Sequence, residues 1–104
     1  MNNYIMITTA TDNKEVAQLI TDYLLEQRLI SCSQITEINS SYHWKGNIEH
    51  SKEYLLQMKT KKNLYNEVER VILEKHNYEL PEIVGYDINI GYDKFFNWID
   101  SETK

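Results

Sequence analysis

CSQITEINSSYHWKGNIEHSKEYLLQMKT, running from Cys32 to Thr60, consists of two runs rich in β-branched and aromatic residues, interrupted once at Lys45-Gly46-Asn47. No proline or glycine breaks Ile30 to Trp44, and Gly46 is the first glycine of the chain. A Gly-Asn pair supplies the positive φ values that tight hairpin turns require, so the segment is expected to be one long β-hairpin. The first arm, Cys32 to Trp44, would span about 43 Å at roughly 3.3 Å per residue, against the five or six residues of an ordinary strand. Its tip must project and expose Tyr42, Trp44, Ile48 and Tyr54. Unpaired edges with aromatic groups invite pairing with another copy, and closed cyclic association satisfies them without fibre growth. A homo-oligomer is therefore expected.

Directly opposed residues of an antiparallel pair share a face, so the turn fixes which side chains meet. A three-residue turn over Lys45 to Asn47 sets the even-numbered Ile38, Tyr42 and Trp44 on the face of Ile48, Tyr54, Leu56 and Met58, and is the expected register. A two-residue turn at Gly46-Asn47 would instead oppose His43 to His50, an imidazole pair suited to a metal, but would set Trp44 against Glu49 and Ile38 against Leu55.

On the amino-terminal side, Tyr4 to Thr9 (YIMITT) carries apolar residues at both parities, as a strand covered on both faces does. Asp12 with Glu15 three residues on resembles a capping box and opens a helix over about Asn13 to Gln27, with the stripe Val16, Leu19, Ile20, Tyr23 and Leu24. On the carboxy-terminal side, Asn63 is the expected cap of a helix with the stripe Leu64, Val68, Val71 and Ile72, fading near His76-Asn77. Pro81 closes the connection, and Ile83 to Ile90 alternates like a half-exposed strand. After Gly91, Asp93 can cap a short helix bearing Phe95, Phe96, Trp98 and Ile99. The order is βαββαβ plus a short helix. It predicts an α+β, ferredoxin-like sandwich of the split-βαβ type, a single domain over residues 1–104.

Eleven Lys and Arg against sixteen Asp and Glu leave a net charge of −5, which opposes phosphate neutralisation, so no nucleic-acid partner is expected. The run Lys59, Lys61 and Lys62 reads as a solvated strand end. Cys32 is the one cysteine and has no partner for an intrachain disulfide, which points to a reducing, cytoplasmic setting. No stretch of about twenty apolar residues predicts a membrane partner. No G-x-S-x-G, phosphate-loop or zinc-protease pattern occurs. An acylphosphatase on this fold would need an arginine after strand one, and Thr8 to Asp12 contains none. A non-enzymatic protein without an obligatory cofactor is expected.

With these elements placed, SSYHWKG from Ser40 to Gly46 and EYLLQMKT from Glu53 to Thr60 resemble the CutA family of divalent-cation tolerance proteins. HNYELPEI from His76 to Ile83 is similar to the family's His-Pro-Tyr-x-x-Pro-Glu-Ile segment, and Gly91 with the aromatic residues and Trp98 to its carboxy-terminal ending. The resemblance covers nearly the whole chain. It implies a homotrimer in which long hairpins join neighbouring sheets, a role in tolerance of copper and other divalent metals, and an architecture like that of the PII signalling proteins, whose inter-subunit clefts bind small effectors. There are departures: Asn77 replaces a proline, which should loosen the turn, His43 replaces an aromatic, and Ser33-Gln34 follows Cys32.

A soft thiolate and an imidazole suit copper, and Cys32 and His76 are the family-matching positions that offer them. Against this stand a buried apolar role for Cys32 and a helix-terminal role for His76. Tyr42, Trp44, Glu53, Lys59, Tyr78, Glu82 and Trp98 match positions that line or support the family's inter-subunit clefts. They suit either a small effector or partner protein, or hydrogen-bonded structural pairs.

Overall fold

The computed structural model describes residues 3–104. The chain runs β1 (Tyr4–Thr11), α1 (Lys14–Glu26), β2 (Cys32–Trp44), β3 (Asn47–Lys61), a 3-10 turn (Lys62–Leu64), α2 (Tyr65–Lys75), β4 (Val84–Asp87) and α3 (Asp93–Glu102). The strands form one antiparallel sheet in the order β2-β3-β1-β4.

The long hairpin forms, but with neither expected register. Lys45 and Gly46 both take positive φ, 49° and 83°, and close a two-residue turn in which Trp44 faces Asn47. Two consecutive positive φ values give the turn a twist that matches the flanking strands. Even residues of β2 therefore oppose odd residues of β3: Ile38 faces Glu53, Tyr42 faces Glu49 and Trp44 faces Asn47. His43 lies opposite Ile48 and His50 opposite Ser41, whose hydroxyl bonds the His50 Nδ1 at 2.8 Å, so the histidine pair does not meet.

This register sorts the two faces of the sheet. One carries Ile5, Ile7, Leu56 and Met58 against Ala17, Ile20 and Leu24 of α1 and Val68, Val71 and Ile72 of α2. Each fully buried aliphatic side chain there stabilises the fold by ~1.5–3 kcal/mol. The opposite face carries the half-buried Met6, Ile38 and Leu55 and the exposed Val84 and Tyr86.

Several element ends differ from the sequence reading. Asn13, not Asp12, caps α1, its Oδ1 accepting from the Val16 amide at 3.1 Å. The buried stripe of α1 is Ala17, Ile20, Thr21 and Leu24, while Leu19 and Tyr23 face outward. Small residues at 17 and 21 let the helix lie close to the sheet, and the Thr21 hydroxyl reaches Ser33 at 2.9 Å. Asn63 sits inside the 3-10 turn, and α2 starts without a side-chain cap. Asp93 opens α3 as its first residue, after Tyr92 in the cap position. β4 stops at Asp87 rather than Ile90, because its partner β1 begins at Tyr4, whose carbonyl takes the Ile88 amide as the last bond across that edge among the described residues. α3 docks on the Tyr4 end of the sheet: Phe96 stacks on Tyr4 at 4.5 Å, and the Tyr4 hydroxyl donates to Asp100 at 2.7 Å.

Candidate functional site

The segment from His76 to Ile83 leaves the end of α2 and crosses the far end of β1. His76 occupies the cap position of α2 with extended backbone. Its Nε2–H donates to the Ala10 carbonyl at 2.9 Å, and its Nδ1 accepts from the Tyr78 amide at 3.0 Å. Both contacts suit the neutral ring, and burial holds the imidazole pKa below its ordinary value, against the opposing pull of the Ala10 carbonyl, Glu53 and Asp12. Asn77 ties the turn down instead of loosening it. Its Oδ1 accepts from the Thr11 hydroxyl at 2.5 Å and its Nδ2 donates to Asp12 at 2.9 Å, bonds a proline could not make.

Two further bonds fix the segment to the sheet. The Tyr78 hydroxyl donates to Glu53 Oε2 at 2.6 Å, and the Thr8 hydroxyl donates to Glu82 at 3.3 Å. Glu53 is only 7% exposed. Burial, then the hydrogen bond and charge of Glu53, push the Tyr78 phenol well above its usual pKa, so it stays a donor.

Between this segment and the hairpin lies an open groove of about 640 Å³. Tyr42, Trp44 and Glu53 line it from the hairpin, and Tyr78 and Glu82 from the connecting segment. The observed register puts Glu53 on the same face as Tyr42 and Trp44; a one-residue slip would have turned it away. At the mouth, Lys45 Nζ lies 5.5 Å from the centroid of the Trp44 ring and 4.0 Å from Glu79.

The other expected site residues lie elsewhere. Lys59 donates to Gln34 at 2.9 Å on the helix-free face, beside β2. Trp98 sits on α3 against Phe95, at the Tyr4 end of the sheet, six residues along β1 from Ala10. Cys32 opposes Lys59 whereas Ala10, the contact of His76, opposes Leu55. Four residues of β3 put Cys32 and His76 roughly 13 Å apart along the strands, on opposite sides of β3, so one chain does not bring them together. Among the described residues no group of three or more His, Cys, Asp or Glu is placed to hold a metal ion.

The groove also draws on Asn77, which was read from the sequence only as a loosened turn, and on Glu79 and Leu80, which were passed over. Their neighbourhood with Pro81 was the available signal, since a polar loop around a proline is a common place for binding groups. Ser40, another lining residue, shares the parity of Tyr42 and Trp44 and was legible in principle.

Comparison with known proteins gives a consistent result. The family model described as CutA1 divalent ion tolerance protein matches residues 5–102. The divalent-cation tolerance protein CutA of Archaeoglobus fulgidus is 35% identical, with 100% of both chains covered. Its namesake from Pyrococcus horikoshii is 33% identical over 96% of this chain and 98% of its own. The solved structure of the periplasmic divalent cation tolerance protein CutA from Archaeoglobus fulgidus superposes with a TM-score of 0.95 at 31% identity, over 97% of this chain and 99% of that one.

Proposed function

Since the chain belongs to the CutA1 family of divalent ion tolerance proteins, we propose that it acts in metal-ion tolerance as a non-enzymatic, homotrimeric binding protein of ferredoxin-like topology, with its groove as an effector cleft. The observation that carries this reading is the groove itself. Its volume of about 640 Å³ falls within the range of small-molecule sites, and its polar groups come from two elements tied together by the part-buried Tyr78–Glu53 hydrogen bond. One wall is a hairpin that reaches beyond its own domain, so a neighbouring copy is the natural completion of the cleft, in the manner of the PII proteins. Lys59 and Trp98 would then belong to the cleft only through the assembly.

Direct binding of copper or another divalent metal is the second reading, favoured by Cys32, a free and partly exposed thiol at the start of β2. His76 would have to release the Tyr78 amide from Nδ1, keeping its Nε2–H on the Ala10 carbonyl, and the pair would have to come from different subunits. The single cysteine fits a reducing, cytoplasmic location. No helix among the described residues is long and apolar enough to cross a membrane.

Sedimentation should give three times the 12.4 kDa chain mass at micromolar concentration, and a thermal-shift screen should find a ligand that stabilises the wild type but not Trp44→Leu. A monomer, or a hit list indifferent to Trp44, would sink the cleft reading. Copper affinity unchanged in the Cys32→Ser, His76→Ala double variant would remove the second.

A further inference from the structure

The two histidines of the hairpin are not directly opposed, but they are still neighbours. His43 faces Ile48 and His50 faces Ser41, so both belong to one face of the ribbon, with His50 two residues beyond the partner of His43. Such diagonal positions lie about 7–8 Å apart, within reach of long side chains. The same diagonal is spanned twice on the other face. The Tyr42 hydroxyl meets Ser51 at 3.2 Å, two residues beyond its partner Glu49, and Gln34 meets Lys59 at 2.9 Å, two residues beyond its partner Gln57.

Both imidazoles are exposed. His43 makes no hydrogen bond or ion pair among the described residues, and His50 is held at Nδ1 by the Ser41 hydroxyl, 2.8 Å away. With that hydroxyl accepting from Nδ1–H, the lone pair of His50 sits on Nε2. Ligating histidines are set in this manner, one nitrogen anchored so that the other is free to coordinate. The neighbouring positions on the face are Asn39, Ser41, Ile48 and Lys52, without a carboxylate. Oxygen-seeking cations such as Ca²⁺ and Mg²⁺ find no anionic oxygen there, and the Lys52 ammonium opposes diffuse attraction of any cation. Imidazole suits Zn²⁺, Ni²⁺ and Cu²⁺ instead.

We propose that His43 and His50 form a two-imidazole chelate for a divalent transition-metal ion on the hairpin. No third His, Cys, Asp or Glu joins them among the described residues, which leaves the other coordination positions to water. The register supplies both ligands from one chain, on the face opposite Ile38 and Leu55, so the site is complete without a neighbouring copy. It is separate from the effector cleft and from Cys32 and His76, and stands or falls without them.

Titration calorimetry of the full chain with Ni²⁺ tests it. His43→Gln and His50→Gln, both at exposed positions, should each weaken binding roughly tenfold or more, and the double substitution no further than either single, because one imidazole alone has lost the chelate. Cys32→Ser should leave this binding in place, and excess Mg²⁺ should not compete. Cu²⁺ electron paramagnetic resonance should show two coordinated nitrogens in the wild type and one in either histidine variant. Affinity unchanged in either histidine variant would overturn the proposal. Losses that add up in the double variant would mean two independent surface imidazoles and would overturn the chelate. Ni²⁺ binding lost in Cys32→Ser but kept in His43→Gln would place the ion at the thiol, and competition by Mg²⁺ would reduce it to diffuse attraction, each equally fatal.

Discussion

His76 shows how a single side chain can be committed to structure. Both ring nitrogens are used, one donating to Ala10 and one accepting from Tyr78, and burial lowers its pKa from the ordinary value of 6.5. The sign of the pH effect follows. Above 6.5 the ring is neutral in both folded and unfolded chains and its full contribution to stability is present. As pH falls below 6.5 the unfolded chain takes up the proton first, so the folded state loses stability until its own, lower pKa is passed. Urea unfolding at fixed protein concentration between about pH 8 and pH 5 should show a steeper loss for the wild type than for His76→Gln. Parallel curves would show that His76 is not the group responsible. The same neighbourhood explains a misassigned cap: Asp12 was the attractive choice for α1, but its carboxylate is taken by Asn77, from 65 residues away, and Asn13 caps instead. No local pattern reveals such a claim on a side chain.

Among the elements, the hairpin was the most legible. The span of β2, Cys32–Trp44, follows from unbroken β-forming composition, and the turn lies at Lys45-Gly46 as the first glycine indicated. What composition misjudged was the residue count of the turn, two residues where three were expected, and with it the register. Gly46 holds φ at 83° and a Cβ there would touch nothing within 4 Å, so Gly46→Ala isolates the backbone cost of the left-handed conformation. That substitution should destabilise the protein by ~1–2 kcal/mol. The urea midpoint should move while the slope stays the same, and an unmoved midpoint would argue for a different turn. β4 was overestimated for the opposite reason. Its alternation continues to Ile90, but a strand also needs a partner, and β1 runs out at Tyr4.

For the whole molecule, the decisive surface is the sheet face opposite α1 and α2. The chain extends over 44 × 26 × 22 Å, and along that face Val84 is 38% and Tyr86 49% exposed, beside half-buried Met6, Ile38 and Leu55. A charge placed there should break the proposed trimer without touching the core: Tyr86→Lys should lower the sedimenting mass and keep the helical circular-dichroism signal. An intact assembly in that variant would place the interface elsewhere. The order of elements, the long hairpin and the apolar set of α2 were written in local periodicity and turn chemistry, because these depend on neighbours three or four residues away, whereas the α1 stripe was rotated from the expected one, burying Ala17 and Thr21 in place of Leu19 and Tyr23. The relations between distant elements were not written locally. The two-residue turn placed Glu53 on the face of Tyr42 and Trp44, Tyr78 came across from the far end of α2 to bind it, and Cys32 and His76 were held apart by the sheet between them. Those outcomes depend on register and on long-range hydrogen bonds, and a one-residue shift in a strand reverses every face it presents while leaving its local pattern unchanged.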